Sequence, residues 1–297
     1  MTSADTSLSA AVAPSTNGHV APKTKVRRIA VVPAYNEEPT VAVVLEQLYG
    51  LVDELVVVDD GSTDGTRAAI SAWLPGHDRA RMLAFDQNQG MSAAYYLAFT
   101  HLRERLAAGQ VSADDLIFTI DADGQHELAV LDELQRQTVE EGLDALLVRR
   151  DLSTYPFYKQ LGNNLISAWA TLWASGVRLH DVESGYRIFR LGALADALGY
   201  YRGYKYSETV EVAVVLCRLG YKVRNDVVVP VPVFRSRTDM ADVVIDLTMI
   251  VVAAVRVTTR KPAGAKAPSL LPPAAVTAGL GLAGLATLRG AWRLARR

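Results

Sequence analysis

The sequence has almost no cysteine and almost no net charge, and each shortage excludes a class of protein. Its 297 residues contain one cysteine, so an internal disulfide framework is excluded and a reducing compartment is expected. Thirty-one Lys and Arg against 32 Asp and Glu leave a net charge of −1, without the basic footprint of nucleic-acid-binding proteins. Cys217 lies in an apolar run, so we interpret it as a core residue rather than a nucleophile.

The first 25 residues lack an apolar block of the length that a secretory signal requires. They mix Ser, Thr, Ala, Pro and Gly, a composition typical of disordered segments. We therefore expect residues 1–25 to form a disordered leader. Without a signal peptide, the expected location is cytoplasmic.

Between residues 27 and 148, short apolar runs alternate with helix-like segments. The runs are continuous and rich in Val, Ile and Leu, the pattern of strands buried on both faces of a parallel sheet. They are Ile29–Val32, Leu55–Val58, Met82–Phe85, Leu116–Ile120 and Ala145–Val148. This alternation predicts an α/β fold with a doubly wound, mostly parallel sheet.

Polar, acid-rich segments follow three of these predicted strands. They are PAYNEE (33–38), DDGSTDGT (59–66) and DADGQ (121–125). All three lie at the carboxyl ends of strands, which is the edge where open α/β sheets bind ligands. Carboxylates that converge there repel one another unless a cation or many hydrogen-bond donors neutralise them. The arrangement predicts a metal-dependent site.

The metal ligands in this interpretation come from the third segment. Asp121 and Asp123 occupy alternate positions leaving a strand, and Gln125 offers an amide oxygen two residues later. Oxygen ligands suit Mg²⁺ or Mn²⁺, and such sites usually keep positions for substrate phosphates. The glycines of residues 59–66 match neither G-x-G-x-x-G nor a phosphate-binding loop with Lys, so neither a dinucleotide fold nor a Walker loop is supported.

Together these motifs resemble the family 2 glycosyltransferases of the GT-A fold, which is Rossmann-like. The resemblance is strongest to the polyprenyl-phosphate sugar synthases, typified by dolichyl-phosphate mannose synthase, and covers about residues 27 to 240. The matching segments are VVPAYNEE (31–38), VVVDDGSTDGT (56–66), NQG followed by two alanines (88–94), IDADGQH (120–126), SGYRIFR (184–190) and VPVPVFRSRT (229–238).

The resemblance implies roles for particular residues on the donor side. The residues that it assigns to the nucleoside are Pro33, Tyr35, Glu37 and Asp60. Those that it assigns to the metal and the donor diphosphate are Asp121, Asp123 and Gln125. It therefore implies a nucleoside-diphosphate sugar donor and a Mg²⁺ or Mn²⁺ cofactor.

On the acceptor side, the resemblance implies that Ser184 and Arg187 meet a phosphate. A phosphate monoester is already an anionic nucleophile, so it needs a cationic cradle and in-line placement rather than a general base. Arg149 or Arg150 would complete that cradle. We expect an inverting transfer of a sugar to a polyprenyl phosphate, with Asp123 and Arg187 as catalytic residues.

Departures from the family pattern keep other functions open. Glu127 stands where Pro usually follows the His of the metal motif, and Met91 replaces a common Lys. A soluble hydroxyl acceptor is one alternative, and it would need a base, for which the candidates are Asp181, Glu183 and Glu208. A non-catalytic nucleotide-sugar-binding membrane protein is another. The nucleoside (UDP, GDP or dTDP), the sugar and the oligomeric state stay open.

Two C-terminal segments suggest contact with a membrane. Asp239–Val257 has an amphipathic pattern, which fits either a helix in a membrane interface or a helix packed on the domain. The 22 residues 267–288 are uncharged and could span a bilayer, which needs ~20 residues. Three prolines there disfavour a span, and the four arginines that follow would lie outside, against the positive-inside tendency.

These observations predict four parts of the chain. They are a leader (1–25), a GT-A catalytic domain (26–238), an amphipathic interface helix (239–262) and an apolar membrane-associating tail (263–297). In this arrangement the enzyme works at the cytoplasmic face of a membrane.

Overall fold

The apolar runs of the first half of the chain become neighbouring strands of one sheet. The strands of the molecule are β1 (Arg28–Ala34), β2 (Glu54–Asp60), β3 (Ala80–Phe85), β4 (Leu116–Thr119), β5 (Ala145–Leu147), β6 (Arg149–Arg150), β7 (Arg187–Arg190), β8 (Val223–Arg224) and β9 (Val228–Val229). Seven of them form a sheet in the order β3-β2-β1-β4-β7-β5-β8, and β6 pairs with β9 beside it. Strands β1 to β4 are parallel to one another, and β7 is antiparallel to both of its neighbours. The sheet is therefore mixed and mostly parallel.

Helices cover both faces of this sheet. They are α1 (Val41–Tyr49), α2 (Thr66–Trp73), α3 (Met91–Ala107), α4 (Leu131–Glu140), α5 (Phe157–Trp173), α6 (Leu191–Leu198), α7 (Glu208–Leu219) and α8 (Met240–Thr259). Alternate residues of β1 enter different cores, with Ile29 and Val31 on one face and Ala30 and Val32 on the other. The first face carries α3 and α5 to α8, and the second carries α1, α2 and α4. The predicted double winding is confirmed.

The computed structural model describes residues 25–153, 155–201, 203, 207–230 and 240–260. The predicted leader, apart from residue 25, and the predicted apolar tail (263–297) lie outside these residues. The same is true of residues 231–238 of the last matching segment. Among the described residues, no helix combines the length and the apolar character needed to cross a bilayer.

Helix α8 packs against α5 and α7. Every residue from Met249 to Val257 is at most 7% exposed, and Arg256 within this run donates to Glu211 Oε1 on α7 at 3.0 Å. This is the domain-packed arrangement that the amphipathic pattern left open. Contact of this helix with a membrane stays a prediction. Cys217 on α7 is also buried, and burial raises the pKa of its thiol to about 12, as a core position requires.

Beyond α7, the chain forms two short strands, β8 and β9, with an interruption between them. The interruption is at Asn225, whose amide nitrogen donates to the main-chain oxygen of Leu147 at 2.8 Å. Its amide oxygen accepts from the main-chain N–H groups of His180 and Asp181 at 2.6 and 3.0 Å. The amide nitrogen also donates to the main-chain oxygen of Asp181 at 3.3 Å, so this buried amide satisfies four main-chain groups where strand pairing is interrupted. It also places the residues around Asp181 beside the carboxyl end of β5.

Candidate active site

The loops after β1 and β2 interlock at the carboxyl edge of the sheet. The main-chain N–H of Asn36 donates to Ser62 Oγ at 3.1 Å, and Asn36 Oδ1 accepts from the N–H of Thr63 at 2.9 Å. The carboxylate of Glu38 accepts from the N–H of Gly65 at 3.0 Å. A Cβ on Gly65 would lie 2.3 Å from that carboxylate, so a larger residue there would displace the Glu38 side chain. The first two sequence motifs thus form one rigid rim.

The four residues predicted to hold the nucleoside occupy different depths of this rim. Pro33 is buried within β1, whereas Tyr35 and Glu37 are half-buried after its end. Asp60 is buried, and its carboxylate accepts from the N–H groups of Gln89 and Gly90 at 2.8 and 2.9 Å. Burial raises the pKa of Asp60, and these donors act against that rise. Asp60 therefore anchors the turn that starts α3, and its contact with a nucleoside stays a prediction.

Asp121 leaves β4 with its carboxylate held between two side chains. Tyr95 donates to Oδ1 at 3.5 Å, and His126 Nε2 lies 3.4 Å from Oδ2. The main-chain N–H of Asp121 points at His126 Nδ1 at 3.3 Å, so in the neutral imidazole the proton is on Nε2 and faces the carboxylate. Burial opposes ionisation of Asp121, but His126 and the hydrogen bond from Tyr95 keep its pKa below the ordinary value.

Asp123 and Gln125 form the second part of the predicted metal site. Asp123 Oδ1 accepts from the main-chain N–H of Gln125 at 3.0 Å, and Oδ2 accepts from its side-chain amide. The amide oxygen is then the group of Gln125 that suits a cation. Within the described part of the chain, no three His, Cys, Asp or Glu side chains cluster as metal ligands. Two carboxylates and an amide oxygen nevertheless fit Mg²⁺ or Mn²⁺, which take their other ligands from substrate phosphates and water.

Asp121, Asp123 and Gln125 line one open cavity together with residues from the opposite wall. That wall includes Arg150, Tyr155, Glu183, Ser184 and Gly185. The cavity measures about 120 Å³, less than the roughly 300–1,000 Å³ of most ligand sites, so it encloses only part of a nucleotide sugar. Tyr155 had no motif to reveal it in the sequence.

On the opposite wall, the guanidinium of Arg150 lies close to the carboxylates of Asp181 and Glu183. Arg150 donates through Nε and a terminal nitrogen to the buried Asp181, both at 2.9 Å. Burial opposes the charge on Arg150, but Asp181 outweighs this effect and raises its pKa. With its amide nitrogen turned toward its acceptors, Asn163 donates to Asp181 Oδ1 at 2.8 Å and Glu183 Oε2 at 3.0 Å.

The four residues predicted to meet the acceptor phosphate separate into two groups. Ser184 and Arg150 line the cavity. Arg149 is exposed in β6 and does not line it, and Arg187 is 3% exposed with its guanidinium turned to main-chain oxygens. Burial lowers the pKa of Arg187 to about 10, which still keeps it protonated at neutral pH. To contact a phosphate, Arg187 would have to break its hydrogen bonds to the main-chain oxygens.

Residues 29–196 match the family model described as glycosyl transferase family 2. This match covers more than half of the chain and includes the acidic motifs at the sheet edge. The chain belongs to this family. It is therefore a glycosyltransferase that uses a nucleotide-sugar donor, as the motifs predict.

Two curated members of the family resemble the chain over most of its catalytic part. The polyprenol monophosphomannose synthase of Mycolicibacterium smegmatis is 28% identical over 178 residues, covering 55% of this chain and 62% of the relative. The dolichyl-phosphate beta-glucosyltransferase of Saccharomyces cerevisiae is 26% identical over 208 residues, covering 63% of this chain and 62% of the relative. The chain thus spans less than two thirds of the length of either relative.

A solved structure confirms the fold of this family 2 enzyme. Glucosyl-3-phosphoglycerate synthase from Mycobacterium tuberculosis, in complex with Mn²⁺ and UDP-glucose, has a TM-score of 0.56 and 20% sequence identity. The match covers 78% of this chain and 79% of that chain. At this identity the likeness concerns the fold alone.

Glu208, at the start of α7, is a buried acid behind the active-site wall of this enzyme. Its Oε2 accepts from Ser92 Oγ at 2.9 Å, and it lines a small cavity with Tyr95 and Arg187. Burial raises the pKa of Glu208 to about 8, with a further rise from the charge of Asp246 and opposition from Arg187 and the Ser92 hydroxyl. The sequence offers no signal that this glutamate is buried, since acids at helix starts are usually exposed.

The raised pKa of Glu208 predicts a pH dependence of stability. Its folded-state pKa of about 8 lies above the ordinary 4.5, so the unfolded chain loses this proton first as pH rises. The contribution of Glu208 to stability is therefore full below about pH 4.5 and is lost as pH rises toward 8. We expect Glu208→Gln to lose less unfolding free energy than the wild type between pH 5 and 8 in urea titrations. Glu104→Gln, at an exposed position, should parallel the wild type.

Proposed function

We propose that this glycosyltransferase moves a sugar from a metal-bound nucleoside diphosphate to a polyprenyl phosphate at the cytoplasmic face of a membrane. One observation carries the acceptor half of this proposal: an exposed apolar stripe on α5 begins beside the cleft. The names of the two curated relatives, a polyprenol monophosphomannose synthase and a dolichyl-phosphate beta-glucosyltransferase, support the same acceptor class.

The donor half rests on the carboxylates after β4. Asp121, Asp123 and Gln125 would hold Mg²⁺ or Mn²⁺, and the solved glucosyl-3-phosphoglycerate synthase contains Mn²⁺ with its nucleotide sugar. A cation bound there supplies positive charge that stabilises the departing nucleoside diphosphate. The Tyr95 hydroxyl and the His126 imidazole hold the Asp121 carboxylate in position for this role.

The apolar stripe consists of Phe157, Tyr158, Leu161 and Leu165 on the outer side of α5. These side chains are 77, 66, 57 and 56% exposed, and α5 starts two residues after Tyr155, which lines the cleft. Phe157, Leu161 and Leu165 follow one another at four-residue spacing, so they share one helix face. A contiguous exposed apolar surface marks a site of membrane or partner contact. In this proposal, the stripe contacts the lipid chain of the acceptor and the membrane in which that chain is embedded.

The chemistry at the cleft requires no protein base for this acceptor. A phosphate oxygen of the polyprenyl phosphate forms the bond to the anomeric carbon, and the bond from that carbon to the donor diphosphate breaks. The nucleoside diphosphate leaves with the electron pair of the broken bond. Arg150 and Ser184 are two cleft residues that carry hydrogen-bond donors for the incoming phosphate.

A transfer assay tests the proposal. Purified enzyme with Mn²⁺ would be incubated with radiolabelled UDP-, GDP- or dTDP-sugars and a polyprenyl phosphate in detergent. We expect one nucleotide class to give an organic-extractable product that carries the label. Absence of transfer with every donor would contradict the proposal.

A soluble hydroxyl acceptor is the second candidate, because Glu183 places a carboxylate in the same cavity. In that reaction the carboxylate would take the hydroxyl proton as the new bond forms. The product would then stay in the aqueous phase, and the enzyme would transfer sugar to an alcohol in the absence of any lipid. The partition of the label in the transfer assay therefore separates the two acceptor classes.

The apolar stripe gives the acceptor assignment its own test. We expect Phe157→Ser with Leu161→Ser to reduce flotation with anionic vesicles and to raise the KM for a long-chain polyprenyl phosphate. Transfer to a short-chain, water-soluble isoprenyl phosphate should change by less than about twofold, since the reacting groups stay in place. The matched control is Val139→Ser, an exposed apolar position near the end of α4. Equal losses with both acceptors would contradict a lipid-binding role for the stripe.

A further inference from the structure

The guanidinium of Arg187 donates to three main-chain oxygens. Nε donates to the oxygen of Ser184 at 2.6 Å, and the two terminal nitrogens donate to the oxygens of Val182 and Thr209. The side chain is 3% exposed and does not line the cleft that contains Asp121 and Asp123. The planar guanidinium donates to three carbonyl oxygens in different directions at once. The single ammonium group of a lysine could not reproduce this arrangement.

These bonds tie one wall of the cleft to a helix. Val182 and Ser184 flank Glu183, and the segment 183–185 lines the cavity opposite the metal carboxylates. Thr209 is the second residue of α7, which belongs to the buried core. Ser167 on α5 and Thr119 on β4 also contact the segment 182–185, and Arg187 is the side chain that connects it to α7.

A small displacement of this segment would reach the metal site directly. A Cβ placed on Gly185 would lie 2.9 Å from Asp121 Oδ2, so the main chain here packs against that carboxylate. The Thr119 hydroxyl on β4 donates to the main-chain oxygen of Gly185 at 2.5 Å, so the glycine is also in contact with the strand that leads to Asp121. The position of segment 182–185 thus determines both the acceptor wall and the space available to Asp121.

We propose that Arg187 is a positioning residue of the transferase, which holds segment 182–185 in the cleft wall and does not bind the acceptor phosphate. The kinetic part of this proposal rests on the proposed function, because it concerns the acceptor wall. Its structural part is independent of any substrate. Loss of Arg187 should release the segment while the donor side, built on β1, β2 and β4, keeps its shape.

The test compares Arg187→Met and Arg187→Lys with Arg218→Met. Arg218 is a suitable control because it is also buried and donates to the main-chain oxygen of Trp173 at 3.1 Å. It does not line the cleft. Hydrogen exchange of the ligand-free proteins would be measured at peptides spanning 181–186. We expect both Arg187 variants to exchange at least about tenfold faster there than the wild type, whereas Arg218→Met should match the wild type in this segment.

Kinetics then separate positioning from direct binding. A positioning role predicts that Arg187→Lys loses kcat as strongly as Arg187→Met, by about tenfold or more, with the donor KM within about twofold of wild type. A direct phosphate ligand predicts that Lys, which keeps the charge, retains more acceptor affinity than Met. That result, together with unchanged exchange at 181–186, would overturn the proposal. If the wild type transfers no sugar, the proposed function fails while the exchange measurement still decides the role of Arg187.

Discussion

Asp123→Ala is expected to lower the rate of sugar transfer by about 10³-fold, the upper part of the range for removal of one electrostatic group from an active site. The Asp123 carboxylate lines the cleft and has Gln125 as its hydrogen-bonding partner, so the fold does not depend on it. The loss should therefore appear in kcat rather than in stability. Transfer of a radiolabelled sugar under saturating donor and Mn²⁺ measures it.

Two further variants show whether the effect belongs to the metal site. Asp123→Asn keeps the size of the side chain and removes its charge, so it should lose nearly as much activity as Asp123→Ala. Asp132→Ala removes an exposed carboxylate on α4, 79% exposed at its side chain, and should be close to wild type. In thermal-shift assays, Mn²⁺ with the donor nucleotide should stabilise the wild type and Asp132→Ala but not the Asp123 variants. Wild-type activity in Asp123→Ala would contradict a metal role for this residue.

The central sheet could be predicted because its strands are buried on both faces. The run at residues 29–32 is apolar without interruption and forms the inner part of β1, which has helices on either side. The carboxyl ends of β1, β2 and β4 then follow from parallel pairing, since each acidic motif is placed at the same edge by its own strand. The sequence pattern alone could therefore predict that the three acidic motifs lie together at one edge of the sheet.

Strand β7 was not predicted, because its residues carry a weak pattern. It consists of Arg187, Ile188, Phe189 and Arg190, and two charged ends do not suggest a central strand. Its pairing with β4 and β5 in antiparallel sense depends on long-range contacts that no local rule supplies. Because Ser184 and Gly185 precede β7, the local pattern could not place the opposite wall of the cleft, and only the family resemblance pointed to Ser184 and Arg150.

The orientation of Arg187 shows a second limit of sequence reasoning. A motif arginine near a phosphate-binding site suggests an ion pair with substrate, and its spacing carries no sign of burial. Main-chain carbonyls at residues 182, 184 and 209 meet only after β7 and α7 have packed. Asp60 is a similar case, since its contacts with the turn at residues 88–90 depend on the pairing of β2 with β3. Side chains that bind the main chain across elements are therefore the hardest to predict.

Gly185→Ala is expected to reduce transfer by about 10²-fold, the loss associated with an active-site displacement on the scale of 1 Å. The added Cβ would lie 2.9 Å from Asp121 Oδ2 and 3.3 Å from Oδ1, so the carboxylate must move away. Gly185 does not have a positive φ, and alanine can therefore adopt its backbone conformation. The expected damage is to the position of Asp121, with less than about 2 kcal/mol lost in the free energy of unfolding.

The control for this substitution is Gly162→Ala on α5, where a Cβ would meet no atom within 4 Å apart from the neighbouring backbone of its own helix. An alanine in that helix should leave transfer unchanged and raise the unfolding free energy by roughly 0.5–1 kcal/mol. The two variants would be compared by steady-state transfer and by urea denaturation of the same preparations. A 10²-fold loss in Gly185→Ala with near-normal stability would locate the defect at the Asp121 carboxylate. A transfer rate equal to that of Gly162→Ala would instead mean that Asp121 tolerates displacement, and its assignment to the metal and diphosphate would have to be abandoned.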